Sequence, residues 1–182
     1  MNKAFTKETD QEEEPDDDKA SESLFNSVKN YVTPTGFSQM QDEYRRLLND
    51  ERPKVVAVIQ WASGNGDRSE NGDYIYSKKR LREIDRRVRY LTKRLESAQV
   101  IDPHLQKNLT QVFFGATVTY QQSNGDKQTI TIVGIDEADL AKGKISWISP
   151  IAKALLKSEV GDTVHVETPS GKTTLTILAI KY

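Results

Sequence analysis

The sequence predicts an α+β protein in which a long antiparallel helical hairpin precedes a domain of antiparallel β-sheet with one short helix. Two patterns of apolar residues predict this fold. Apolar residues recur at helical spacing as far as Ala98, and apolar and polar residues alternate with a period of two after Pro103. The 182 residues suffice for one large or two small domains with a hydrophobic core. We predict boundaries at 1–30, 31–103 and 104–182.

The first segment is strongly acidic. Residues 8–18 carry eight acidic side chains and no basic one, although the net charge of the whole chain is only −1. A polar segment without apolar periodicity buries too little surface to fold, so we expect a disordered tail over residues 1–30. Inhibition by mimicry of a nucleic acid is the alternative role for this segment.

The first helix is predicted to begin at Thr33-Pro34, with the threonine as N-cap. An apolar stripe follows at Phe37, Met40, Tyr44 and Leu47. Around Pro53 the stripe moves one residue out of step, so we expect a kink or brief break near residues 50–53. The shifted stripe consists of Leu48, Val55, Ile59 and Ala62.

The second helix has a coiled-coil seam, in which apolar residues follow one another at alternating spacings of three and four. Its members are Leu81, Ile84, Val88, Leu91, Leu95 and Ala98. Each helix is predicted to have about 27 residues, hence a length of roughly 40 Å. Between them lies SGNGDRSENGDYIY, residues 63–76. Because this link is short and rich in glycine, the helices should be antiparallel neighbours and the link the tip of a hairpin.

The C-terminal part is predicted to be a sheet. Asn124-Gly125 between two alternating runs is a strong hairpin signal. A short helix is expected at residues 151–157. The predicted strands cover residues 112–121, 127–135, 144–148, 163–168 and 172–181.

The tip carries two acidic residues, Asp67 and Glu70, for which two interpretations are open. As Asp-x-x-Glu before a helix they could form a capping box. As carboxylates they could bind Mg²⁺, which prefers oxygen ligands. Two carboxylates cannot hold Mg²⁺ tightly, so another molecule would supply the remaining ligands, which disfavours a free-standing nuclease. Such a metal could activate water for phosphodiester hydrolysis.

The second helix also carries a basic stripe. Lys79, Arg82, Arg86, Arg89 and Lys93 follow one another at spacings of three and four. The stripe contains no acid and should face away from the partner helix. An ordinary solvated face would mix acids with bases, so we predict contact with phosphate or RNA.

Several classes of protein are disfavoured by composition. The chain has no cysteine, which excludes disulfides, thiolate metal sites and a cysteine nucleophile. Its two histidines are far apart and show no metal-ligand spacing. The sequence has neither a signal-peptide pattern nor an apolar run long enough to span a membrane. We therefore expect a cytoplasmic protein with no membrane partner.

A family resemblance follows from these motifs. GDRSENGDYIYSKKRLREIDRRVRYLTKR, at the tip and second helix, closely resembles bacterial Gre transcript-cleavage factors of the GreB type. The likeness continues through VFFGATV, IVGIDEAD, ISPIAKALLKSEVGD and TPSGKTTLTILAIKY. It spans residues 31–182, and it implies a coiled-coil hairpin followed by an FKBP-like domain.

The resemblance also implies a function. Such factors enter the secondary channel of bacterial RNA polymerase, where the polymerase hydrolyses the 3′ end of a backtracked nascent RNA. Asp67 and Glu70 then correspond to the catalytic pair, which shares a Mg²⁺ with the polymerase and binds none stably alone. The implied RNA-contacting face consists of Lys78, Lys79, Arg82, Arg86 and Arg89. Ser149 and Pro150 correspond to the loop that contacts the rim of the channel.

On this view the chain is a monomeric accessory factor that activates the nuclease of the polymerase, and is no enzyme by itself. One alternative is a secondary-channel regulator that does not promote cleavage. Another is prolyl isomerisation by the C-terminal domain, which would need an apolar pocket lined by aromatic side chains. We expect Phe113, Phe114 and Trp147 to be core or interface residues instead.

Overall fold

The structure is a computed structural model that describes residues 28–64, 71–106, 109–168 and 171–182. The predicted acidic tail lies almost wholly outside these residues. Within them, no helix has the length and apolarity needed to cross a membrane. The fold is α+β, as predicted, with a helical hairpin followed by a curled mixed sheet.

The first arm of the hairpin is helical throughout. It consists of α1 (Pro34–Arg46), a π-helical turn (Leu47–Glu51) and α2 (Arg52–Ser63), which follow one another directly. Thr33 is the N-cap, and its side chain accepts a hydrogen bond of 3.1 Å from the backbone N–H of Gly36. The predicted helix start is confirmed.

The π turn explains the shift in the apolar stripe. The Arg52 N–H donates to the carbonyl of Leu47, five residues back, and Pro53 follows with no N–H to donate. A π turn inserts one extra residue into a helix, so every later side chain moves by one position. Of the predicted kink or brief break near residues 50–53, the break is wrong, because a wider turn accommodates the proline without interrupting the helix.

The second arm is α3 (Gly72–Glu96), which packs antiparallel against α1 and α2. Between the arms, Met40 and Leu47 are buried together with Ile84 and Leu91. Val88, Leu95 and Ala98 of the predicted seam pack around this cluster. The seam prediction is confirmed for these five members of the seam, and the burial of the apolar side chains holds the hairpin closed.

The C-terminal sheet has five strands in the order β5-β4-β3-β7-β6. They are β3 (Thr117–Gln122), β4 (Lys127–Val133), β5 (Lys144–Ser146), β6 (Thr163–Thr168) and β7 (Gly171–Lys181). All neighbours are antiparallel except β4 and β5, which are parallel. The prediction of an entirely antiparallel sheet is therefore wrong. Residues 134–143 return the chain to the start of the paired part of β4, so β5 runs in the same direction as β4 and Lys144 pairs with Thr131.

The core of this domain lies between the sheet and the short helix α4 (Pro150–Leu155). The largest fully buried side chains there are Tyr120, Ile132, Leu155, Leu175 and Ile177. Strand β3 starts five residues later than predicted, because Gly115 forms a turn with a φ of +86°. A Cβ on Gly115 would lie 2.5 Å from Cγ of Pro103, so only glycine fits this approach.

A small parallel sheet, which the sequence analysis did not predict, joins the two parts. Strand β1 (Asn30–Val32) pairs with β2 (Ala98–Val100) at the base of the hairpin. The Asn30 side chain also donates to the carbonyl of Arg94 at 2.7 Å. Both ends of the hairpin are thereby fixed to each other.

Two neighbouring acids of the C-terminal domain also hold the base of the hairpin. Asp136 accepts a 2.6 Å bond from Nε of the buried Arg94 and a second bond from the Tyr90 hydroxyl. Glu137 accepts from the Thr33 N–H at 2.9 Å and from the Thr33 hydroxyl. A Cβ on Gly36 would lie 2.2 Å from the Glu137 carboxyl group, so glycine permits this close approach.

Candidate functional site at the tip and stem of the hairpin

The tip itself is only partly described. Asp67 and Glu70 lie in residues 65–70, outside the described residues, so their metal-binding role stays a prediction. The N-cap residue of α3 is described, and it is Asn71. Its side chain accepts a 3.2 Å hydrogen bond from the Tyr74 N–H, and its backbone is extended. The N-cap of α3, which one of the two interpretations assigned to Asp67, is therefore Asn71.

Asn71 also ties the two arms together. Its Nδ2 donates a 3.0 Å hydrogen bond to the carbonyl of Ala62, in the last turn of α2. One side chain thus satisfies an orphan N–H of one helix and a terminal carbonyl of the other. Asn71 is not among the predicted site residues, although an asparagine directly before a helical run is a recognised N-cap signal.

The basic stripe on α3 faces solvent. Lys79, Arg82, Arg86, Arg89 and Lys93 are all exposed, in agreement with the predicted orientation away from the partner arm. Lys78 is half-buried, and its Nζ lies 5.9 Å from the centre of the Tyr74 ring. The structure thus brings five of these cations onto one outward face, and RNA contact by them stays a prediction.

A second set of cations on the same helix has a structural role. Arg80, Arg87 and Arg94 recur every seven residues, close to the seam. Arg80 pairs with Glu51 at 2.9 Å and Arg87 with Glu43 at 2.8 Å. The hydrogen bond from Arg87 holds the pKa of Glu43 below its usual value. These pairs between the arms were not predicted, although a spacing of seven beside a seam is typical of pairs between helices.

Ser149 and Pro150 begin helix α4. The Ser149 side chain accepts a 3.2 Å hydrogen bond from the Ala152 N–H, and Pro150 occupies the first helical position, where it is exposed. Both residues therefore fix the start of a short surface helix. Their predicted contact with a partner stays a prediction.

Comparison with known proteins identifies the family. Residues 106–182 match the model for "Transcription elongation factor, GreA/GreB, C-term", and residues 30–100 match the model for "Transcription elongation factor, N-terminal". Together these models cover most of the chain. The chain belongs to the GreA/GreB family of transcription elongation factors.

Individual relatives within this family are similar over nearly their whole length. Transcription elongation factor GreB of Neisseria meningitidis serogroup A is 56% identical over 155 residues, which are 85% of this chain and 95% of the relative. GreB of Pasteurella multocida is 50% identical over 153 residues, or 84% of this chain and 96% of the relative. GreB of Pseudomonas putida is 44% identical, with 84% and 94% covered.

Among solved structures, the crystal structure of GreA factor homolog 1 of Thermus thermophilus is 22% identical, and the match covers 85% of this chain and all of that one. Its TM-score is 0.40, too low to bear on the fold. The GreA/GreB factor of Nitrosomonas europaea is 18% identical, with a TM-score of 0.38 over 85% of this chain and 99% of that one.

No ready-made metal site is found in the described part of this Gre-family chain, where no three His, Asp or Glu side chains are grouped to hold an ion. The predicted acids Asp67 and Glu70 lie outside that part. Carboxylate oxygens would fit Mg²⁺ by their chemistry, but a pair is too few to complete its octahedral shell.

The aromatic side chains of the C-terminal domain join the two parts of this Gre-family protein. The centre of the Trp147 ring lies 5.2 Å from the centre of the Tyr31 ring, and the centre of the Phe114 ring lies 5.8 Å from the same Tyr31 ring. Phe114 is buried, and Trp147 packs against the sheet core. The prediction that these two rings are core or interface residues is confirmed.

Proposed function

We propose that this chain is a transcript-cleavage factor that binds bacterial RNA polymerase through the secondary channel and stimulates hydrolysis of the 3′ end of backtracked RNA. In this role it is an accessory factor that activates the nuclease of the polymerase, and it acts as a monomer in the cytoplasm. Family membership supports the role in elongation.

The observation that carries the proposal is the assignment of the N-cap of α3 to Asn71. The alternative interpretation of Asp67 and Glu70, a capping box for this helix, would require Asp67 to be the N-cap and is therefore excluded for α3. Two carboxylates that are not needed to start the helix remain in the link between the arms. At 1.5 Å per residue, the 25 residues of α3 separate that link from the base of the hairpin by roughly 37 Å.

Metal chemistry at such a tip requires a partner. Asp67 and Glu70 would contribute carboxylate oxygens to a Mg²⁺ whose other ligands come from the polymerase. When bound, this metal lowers the pKa of a coordinated water and so supplies the nucleophile for phosphodiester hydrolysis. The role of the chain is to bring two negative charges to the place where that ion is held.

The stem supports the same function. An exposed row of cations on α3 that begins within two turns of the link can bind the phosphates of the extruded RNA, with an affinity that falls as salt rises. The ion pairs of Arg80 and Arg87 keep the two arms closed beneath the tip. Ser149 and Pro150, at the exposed start of α4, are proposed to contact the channel rim.

The test is RNA cleavage in a stalled, backtracked complex of purified bacterial polymerase. Asp67→Asn and Glu70→Gln keep size and hydrogen bonding but remove the charge, so each should lower stimulated cleavage by a factor of about 100 or more, the scale of losing an electrostatic catalytic group. Binding to the polymerase should not change. Asp73→Asn, an exposed acid in the first turn of α3, is the matched control and should cleave normally.

Two results would overturn the proposal. If the wild-type chain binds polymerase without increasing cleavage, it is a non-cleaving regulator of the secondary channel. If Asp67→Asn and Glu70→Gln cleave as well as Asp73→Asn, the tip carboxylates have no part in the chemistry. A Ser149→Ala or Pro150→Ala variant should show the reverse pattern, with weaker binding and normal cleavage at saturation.

A further inference from the structure

Four large side chains near the tip are exposed although each has substantial apolar surface. One is Ile75 on α3, which is 53% exposed; the other three are Val58 and Trp61 on α2 and Tyr76 on α3, which are 41%, 63% and 72% exposed. Isolated apolar residues on a surface need no explanation, but three that share one side of a helix pair do. We name this set the aromatic flank.

Ion pairs and helical periodicity put the three residues on one side of the hairpin. Tyr76 lies four residues before Arg80, hence one turn above it on the same side of α3. Arg80 pairs with Glu51 across the arms. Val58 lies seven residues after Glu51, two turns further on the same side of its arm, and Trp61 is one turn beyond Val58.

The aromatic flank is also close to the tip along the hairpin axis. The hydrogen bond from Asn71 to the Ala62 carbonyl sets the level at which the two arms leave the link. Trp61 directly precedes Ala62, and Tyr76 lies five residues after Asn71. Each ring is therefore within about 8 Å of that level along its helix, at 1.5 Å per residue.

Cations adjoin the aromatic flank. Lys79 follows Tyr76 by three residues and is exposed, and it is the first member of the basic stripe. Rings that can stack on bases, beside a row of cations that can follow a sugar-phosphate backbone, are the combination by which proteins bind single-stranded nucleic acid. A protein surface that covered Trp61 and Tyr76 would also have to desolvate Lys79 and provide an acid for it. An RNA strand carries a phosphate at every nucleotide.

We propose that Trp61 and Tyr76 stack on unpaired bases of the RNA strand whose phosphates lie along the basic stripe. This inference rests on the proposed function, which brings a single-stranded 3′ end to the tip. It adds base contacts to the phosphate contacts of the stripe, and it makes the two aromatic residues positioning residues for the strand.

The test uses the full chain and two probes of equal length at low salt, a single-stranded RNA oligonucleotide and an abasic oligonucleotide that keeps the phosphates. In Trp61→Leu/Tyr76→Leu the apolar character remains and the rings are lost. We expect this variant to bind the RNA about tenfold or more weakly, since stacking has that scale per base, and to bind the abasic probe normally. Lys79→Gln should weaken binding of both probes.

The control is Leu140→Ala, which removes a side chain of the C-terminal domain that is 83% exposed, and it should bind both probes like the wild type. RNA should also quench the fluorescence of Trp61, a signal that Trp61→Leu removes. Equal binding of RNA by the wild type and the double variant would overturn the inference. Normal RNA binding together with weaker polymerase binding would assign the aromatic flank to the polymerase instead.

This readout is independent of cleavage, so the two proposals can fail separately. If Asp67→Asn cleaves normally, the proposed chemistry is wrong whatever the oligonucleotides show. If the double leucine variant loses none of its RNA affinity, the stacking is wrong even though cleavage depends on the tip acids.

Discussion

Asn71 has two tasks in the hairpin, since its carbonyl oxygen caps α3 and its amide nitrogen closes the end of α2. Because Asn71 is the N-cap, α3 does not use Asp67 as its N-cap. Asn71 was not predicted as the N-cap, because it directly follows Asp67-x-x-Glu70, and that spacing is itself typical of a capping box.

Asn71→Ala should lower the free energy of unfolding by about 1–2 kcal/mol, the usual loss for removing an N-cap. Asn71→Asp should lose less, because a carboxylate still accepts from the Tyr74 N–H and is favoured at a helix N-terminus. Urea denaturation of both variants measures this. If Asn71→Asp is as unstable as Asn71→Ala, the bond to Ala62 matters more than the cap.

At the scale of elements, periodicity predicted most of the hairpin. The seam of α3 was predictable because burial of Ile84 and Leu91 is a local consequence of their spacing. The π turn at Leu47–Glu51 was visible only as a shift of register, and sequence alone does not distinguish an inserted residue from a break. The parallel pairing of β5 depends on the path of residues 134–143, which no local pattern specifies.

The Arg87–Glu43 pair makes the stability of the hairpin depend on pH. Its hydrogen bond lowers the pKa of Glu43 in the folded protein, so the unfolded chain binds a proton more readily. The stabilisation is therefore complete above the usual glutamate pKa and is lost as the pH falls through the lowered value. Since Arg87 is 45% exposed, the effect should not exceed about 1 kcal/mol.

Glu43→Gln is the corresponding experiment. Compared with the wild type, it should be less stable at neutral pH, and the difference should shrink at an acidic pH below the lowered pKa of Glu43, where Glu43 itself becomes protonated. Unfolding curves at the two pH values are sufficient. A difference that stays constant across this range would show that the charge of Glu43 contributes nothing.

At the scale of the whole molecule, the hairpin and the sheet are held together by a junction of buried polar groups. Asp136 faces the buried guanidinium of Arg94, and Glu137 binds the start of α1. These contacts join residues about 40 to 100 positions apart in the sequence, so pattern analysis could not have found them. They fix the base of the hairpin relative to the sheet that carries Ser149 and Pro150 at the start of α4.

Asp136→Asn should destabilise the protein by about 3 kcal/mol or more, because it removes the negative charge that faces a buried arginine. Asp139→Asn is the matched control. Asp139 pairs with Lys142, which is 74% exposed, so removing its charge should change stability far less than Asp136→Asn does. Denaturant unfolding compares the two, and equal effects would mean that the Arg94–Asp136 pair does not hold the junction.

The proposed function depends on two tip carboxylates that help to hold a Mg²⁺ in the active centre of another protein. Its most direct test is the Mg²⁺ dependence of transcript cleavage in a backtracked complex saturated with the factor. We predict that the wild type reaches half of its maximal rate at a lower Mg²⁺ concentration than Asp67→Asn or Glu70→Gln, because each variant removes an anionic ligand. Identical Mg²⁺ dependence in the wild type and both variants would contradict the account.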